Sequence, residues 1–320
     1  MNLFVLRQVL IFQIFIFGLP LAWGKPVVIN VANSFYTNWY NTKEAAPAQR
    51  LQSFYENVAP QFSEFYDYRN NSLKKQSKDV DQEILRHLNE FSDISSDFLS
   101  LSRELPLIIE SAAASFSETF RDFDSNFRVY LIHSLDEMDG GVRTLGDKDY
   151  FIFGLESMIK YHNFTNRTPF FHHELFHKYH FQYLKHEFNE TLGEYLWIEG
   201  LATYMSHVLN PGASYTELTL DVPEGLVNRC EKNFSVIIEE LLASFESKTS
   251  EIYTKFFLPN ANYDVIRSRA AYYIGYLVAK EIAKTRPPLT LIKLSGDPLK
   301  QLMRQTLQQL RRKHENESYF

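Results

Sequence analysis

One short run constrains this chain more than any other: His172-His173-Glu174-Leu175-Phe176-His177. His173 and His177 are four positions apart. On an α-helix, residues i and i+4 lie one turn apart on the same face, whereas on a strand the same pair is about 13 Å apart. Two imidazoles at helical spacing can share one metal ion, with each nitrogen about 2 Å from it. Glu174 follows the first histidine directly, so it reaches past the metal to a water, where it serves as a general base. The run therefore calls for a helix, predicted over 169–186 with Pro169 in its first turn. The competing reading is a solvated, His-rich helix, since His172, His180 and His186 crowd the same segment. His172 itself reads as a solvated neighbour of the pair.

A catalytic zinc site takes three protein ligands and leaves one position open. A third histidine in the His-x-x-Gly-x-x-His pattern is excluded, because positions 180 and 183 are His and Tyr. The glutamates downstream are Glu187, Glu190, Glu194 and Glu199. Glu199 is preferred, with Glu194 next. It lies in Trp197-Ile198-Glu199-Gly200-Leu201-Ala202, where a carboxylate among apolar side chains needs a partner. Gly200 and Ala202 are small enough for this second helix to pack closely on the first.

The rest of the chain is organised around that segment. Apolar residues recur at helical spacing from about 80 to 120, with Pro106 predicted to split the stretch in two. A helix is expected over 47–66, followed by a polar surface loop at 69–78. Residues 128–133 and 150–155 read as strands, and Asp139-Gly140-Gly141 between them as a turn. Helical patterns return at 169–186, 192–209, 231–247, 265–284 and 297–313. Helices, then a few strands, then helices indicate an α+β class with a small sheet beside the metal-binding helix. The organisation is read as 1–24, 25–125 (helical) and 126–320 (catalytic), with 25–125 covering one side of the cleft or serving as a pro-region.

Residues 1–24 are different material. Arg7 is their only charged side chain, 9–17 is nearly all apolar, and Ala22-Trp23-Gly24 supplies small residues at −3 and −1. This is the layout of a signal peptide cut after Gly24, which implies a periplasmic or secreted protein with no stable membrane span after cleavage. The single cysteine, Cys230, forms no intramolecular disulfide and reads as a buried small hydrophobe. Sequons occur at Asn70, Asn163, Asn166, Asn189, Asn233 and Asn316. Three crowd the chemical segment, which favours a host that leaves them bare. Lys plus Arg number 33 against 39 Asp plus Glu, so no basic field is available and nucleic acid is excluded as a partner.

His173-Glu174-x-x-His177 followed by Glu199-Gly200-Leu201-Ala202 resembles the gluzincin clan of zinc metallopeptidases, in particular exported bacterial zinc-dependent peptidases of unknown function. A third segment, Arg267-Ser268-Arg269-Ala270-Ala271-Tyr272-Tyr273-Ile274-Gly275-Tyr276, is similar to a late Tyr-Tyr-x-Gly-Tyr helix in such proteins. The resemblance covers roughly 126–284. It implies a zincin-like fold, Zn2+ held by His173, His177 and Glu199, and Glu174 as catalytic base. It also implies a strand that binds substrate by strand addition, for which 150–155 is the candidate, Gly154 allowing close backbone approach. Tyr272, Tyr273 and Arg269 are candidate donors to the developing oxyanion. Two departures stand out. The 22 residues from His177 to Glu199 match neither the thermolysin-like nor the aminopeptidase-like interval, and Thr203 stands where a thermolysin-like chain has a second carboxylate.

The expectation is therefore an exported zinc metallohydrolase cleaving a peptide or protein substrate. Its rival is a non-catalytic exported binding protein on the same fold. A hydrolase of non-peptide amides is a third reading, separable only by substrate.

Overall fold

The structure is a computed structural model that describes residues 24–162, 166–184, 188–259 and 266–317. Glu187, His186, Asn163 and the predicted signal peptide up to Trp23 lie outside the described residues. Four strands form one mixed sheet: β1 (Val27–Asn30), β2 (Arg128–Ile132), β3 (Gly140–Leu145) and β4 (Lys148–Gly154). Their order is β1-β2-β4-β3. β1 and β2 are parallel, as are β2 and β4, while β3 runs antiparallel to β4. The remaining elements are helices, so the α+β class holds.

Before β2 come α1 (Ala32–Thr42), α2 (Pro47–Asn57), α3 (Ser63–Lys75), α4 (Val80–Glu90) and α5 (Ser95–Thr119). After β4 come α6 (Leu155–Tyr161), α7 (Thr168–Leu184), α8 (Leu192–Leu209), α9 (Leu226–Lys232), α10 (Phe234–Ala243), α11 (Ser250–Phe257), α12 (Ala270–Ala283), α13 (Pro288–Leu291) and α14 (Gly296–Glu317). One continuous apolar core runs from Val31 to Leu307. The early helical region is joined to it by β1, which lies beside β2 as a sheet edge. No helix among the described residues is long and apolar enough to cross a membrane. Cys230 is buried, as read from the sequence.

Three expectations fail, each for a specific reason. Pro106 does not split its helix; α5 runs through it. Proline lacks the N–H that would bond the carbonyl four residues back. Here that carbonyl, on Ser102, accepts a hydrogen bond from Asn30 Nδ2 at 2.8 Å, so nothing is left orphaned. The segment 69–78 is not a loop, since α3 continues to Lys75. Arg69 is buried there and donates to the Leu135 carbonyl through Nε at 3.1 Å and Nη2 at 2.5 Å. The helix expected over 47–66 breaks after Asn57 into a tight turn at Ala59–Phe62, which includes Pro60. In addition, Asp139-Gly140-Gly141 is not a hairpin turn: Gly140 and Gly141 begin β3.

Candidate metal centre

α7 and α8 build the centre, and both have clear local causes. Pro169 occupies the first turn of α7, where its missing N–H costs nothing. Thr191 caps α8 by accepting from the Glu194 N–H at 3.3 Å, while the Glu194 carboxylate accepts from the Thr191 N–H at 3.1 Å. This reciprocal box uses Glu194 and rules it out as the third ligand. Glu190 is exposed in the loop before the cap.

His173 and His177 project from α7 as the helical spacing requires. Their Nε2 atoms are 2.9 Å apart, and Glu199 Oε2 from α8 lies 3.3 Å from the first and 3.2 Å from the second. Donors of a tetrahedral ion at about 2.0–2.1 Å stand about 3.3 Å from one another. The three atoms therefore have the size of one face of such a coordination shell. The group can hold a metal ion, and it is the one set of three such residues found among the described residues. Two imidazoles and a carboxylate are also the donor set that zinc accepts in open, reactive sites.

Neighbouring groups orient the ligands. Thr203 Oγ1 donates to the Glu199 carbonyl at 2.9 Å, so its lone pairs are free to accept from His173 Nδ1 at 3.3 Å. A proton on Nδ1 leaves Nε2 as a bare lone pair facing the other donors. A neutral hydroxyl thus does the work expected of the missing carboxylate at this position. His177 Nδ1 is buried with no hydrogen-bond partner among the described residues. Burial alone would raise the Glu199 carboxyl, but His177 and His173 outweigh it and hold it well below the usual carboxylate range. Burial, then the neighbouring His177, depress His173. Burial also opposes a charge on His177, yet the Glu199 carboxylate raises it.

Glu174 lies beside this triangle, half-buried and without a hydrogen bond among the described residues. Burial pushes its carboxyl up to about 8; His177 opposes this, and Asp139 and Glu199 reinforce it. Gly141 makes the space. Its φ of +124° suits glycine, and a Cβ there would stand 3.0 Å from Glu174 Oε2. The start of β3 therefore lies over the carboxylate. Because β3 is the sheet's outer strand, its far edge is unpaired among the described residues. β4, which contains the predicted 150–155 strand, lies between β2 and β3 and has no free edge. Gly154 does allow a close approach, but to the protein's own Met138 carbonyl, 2.1 Å from where a Cβ would stand.

The remaining predictions separate cleanly. Tyr273 is buried and donates to Glu231 Oε1 at 2.5 Å, so its hydroxyl is committed away from the centre. Arg269 and Tyr272, at the start of α12, stay near it: Arg269 bears on His173, and Glu199 on Tyr272. The small Gly200 packs against α12, not α7. A Cβ on it would lie 2.2 Å from the Gly275 carbonyl carbon, so the two glycines bring α12 to backbone contact one residue from Glu199. His172 is not solvated. It is buried, with Ser115 Oγ 2.9 Å from Nε2 and Asn210 Nδ2 2.8 Å from Nδ1, which ties α7 to α5 and to the end of α8.

Sequence reading missed one pair altogether. Asp139 Oδ2 lies 2.8 Å from His162 Nε2, and His162 stacks on Phe170 with ring centres 4.2 Å apart. Burial would raise Asp139, but His162 and then Arg269 hold it low. The signal was present in Asp139-Gly140-Gly141, which was read only as turn chemistry. No family model, curated protein or solved structure matches this chain.

Proposed function

We propose that this protein is an exported zinc-dependent hydrolase of peptide bonds on a zincin-like scaffold. The observation that supports this best is the face-sized triangle of His173, His177 and Glu199 with an uncommitted Glu174 beside it. Export is inferred from the character of residues 1–24 alone.

Zinc, when bound at the three donors, supplies a Lewis acid that polarises a carbonyl and acidifies a water. The chain's own residues do the rest. Thr203 fixes the His173 tautomer through Nδ1. Glu174 Oε2 takes the proton of the attacking water and returns it to the leaving amine nitrogen. A buried carboxyl with raised proton affinity suits both transfers. The free edge of β3 offers N–H and C=O groups to an extended substrate, and Gly141 brings that edge over Glu174. A purely binding scaffold has no use for a carboxylate in this place with no hydrogen bond of its own.

The test is Glu174→Gln, followed by mass spectrometry of a peptide library. The variant is expected to keep its zinc and to lose turnover by about 10²–10⁴-fold. Hydrolysis at the parent rate overturns the mechanism.

A further inference from the structure

We propose that Arg269 anchors a carboxylate of the substrate, which makes this centre selective for peptides carrying negative charge next to the bond cut. The proposal rests on the hydrolase reading above.

Four observations support it. First, Arg269 is half-buried and, among the described residues, its side chain makes no ion pair or hydrogen bond; its Nε is shielded from water with no partner there. Leaving such a donor unmatched is costly, so an acceptor at this point is rewarded. Second, its backbone sits at φ 59° and ψ 9°, the left-handed region that a residue with a Cβ seldom occupies. The guanidinium carbon is thereby set 4.5 Å from the centre of the Tyr272 ring. Third, two of the nearby acids are already engaged. Asp139 is held by His162, and Glu199 faces two imidazoles. Fourth, further donors stand close by. The hydroxyls of Tyr272 and Tyr253 have no hydrogen-bond partner among the described residues, and Phe257 links the two rings at 5.5 and 4.9 Å. Arg269 leads α12, whose Gly275 meets Gly200 in backbone contact one residue from Glu199, and its charge is felt at Tyr253, Asp139 and His173.

A guanidinium presents planar, paired N–H donors, and a carboxylate is an acceptor-only group that matches them. The same chemistry arises from a peptide's terminal α-carboxylate or from an acidic side chain. The first gives a carboxypeptidase, the second an acid-selective endopeptidase.

The experiment measures binding by calorimetry to the zinc-loaded Glu174→Gln protein, which does not consume the probe. Three probes are used: Ac-Ala-Phe-Ala with a free carboxylate, the same peptide amidated, and Ac-Ala-Phe-Asp-amide. The free carboxylate is expected to bind about tenfold tighter than its amide. Adding Arg269→Gln should abolish that preference while the zinc content stays that of the parent. Arg269→Lys should restore part of it. If the aspartyl amide alone gains, the anchor serves a side chain; if the free terminus alone gains, it serves a C-terminus. Equal binding of all three, no binding of any, or a preference that survives Arg269→Gln overturns the anchor. The two readings fail separately. An Arg269-dependent preference in a protein whose parent cleaves no peptide leaves the anchor standing and removes the hydrolase. Peptide cleavage indifferent to charge does the reverse.

Discussion

Two buried clusters in this molecule contain nearly the same ingredients. One is His173, His177 and Glu199. The other is His133, His87 and Glu156, packed among α1, α4 and the end of β2, with the His133 ring stacked on Phe35 at 4.1 Å and 5.2 Å from that of His87. The difference lies in what the carboxylate meets. Glu156 accepts from the Ser134 N–H at 2.8 and 3.0 Å, from Ser134 Oγ at 2.5 Å and from the Asp136 N–H at 3.1 Å. His133 Nδ1 accepts from the Leu135 N–H at 3.2 Å and is 3.7 Å from Glu156. The protein has answered that cluster with its own donors. At Glu199, no backbone N–H reaches the carboxylate, and three lone-pair atoms converge within 3.3 Å of one another. Composition and burial do not suffice for a candidate metal site; convergent acceptors that the chain leaves unanswered are needed as well.

The comparison can be broken most violently at Glu156. Glu156→Ala leaves the Ser134 and Asp136 N–H groups without their acceptor, at about 1–3 kcal/mol each, while the Ser134 hydroxyl still has the Met138 carbonyl. Thermal unfolding should show a loss of several kcal/mol while the folded fraction keeps its zinc. Zinc loss with stability intact would erase the distinction. A smaller effect sharpens the other side. Thr203→Val removes the acceptor for His173 Nδ1 and should weaken zinc about 10–100-fold in a chelator competition, with little change in melting temperature. Unchanged affinity would mean that Thr203 does not set the tautomer.

The smallest effect is one of pH. Burial pushes His133 down to about 3, with Asp136 opposing and Arg86 adding. In the unfolded chain an imidazole titrates near 6.5. Between those values the unfolded chain holds a proton that the folded one refuses, so stability falls as pH drops below about 6.5. The slope from one such group is about 1.4 kcal/mol per pH unit. His133→Phe should flatten the profile by that amount between pH 6 and 4, measured as the difference from the parent by denaturant melts. Parallel profiles would mean that His133 is charged in the fold.

Much of the centre was legible because its information is local. Helical spacing sets His173, Glu174 and His177 on one face, and an isolated glutamate in an apolar helix singled out Glu199. Glu194 illustrates the limit. It stands as the second choice of ligand until Thr191, three residues earlier, is recognised as the other half of a cap. The edge strand was not legible, since the position of β3 outside β4 depends on pairings distant in sequence. Nor was the α5 helix through Pro106, because its rescuer, Asn30, lies 72 residues from the carbonyl it satisfies.

The central claim is tested most directly by the zinc content of the purified protein beside its Glu199→Ala variant, after identical reconstitution and gel filtration. The account predicts about one zinc per chain in the parent and a large loss in the variant, with both folded. Zinc retained in full by the variant, or absent from the parent, would contradict it.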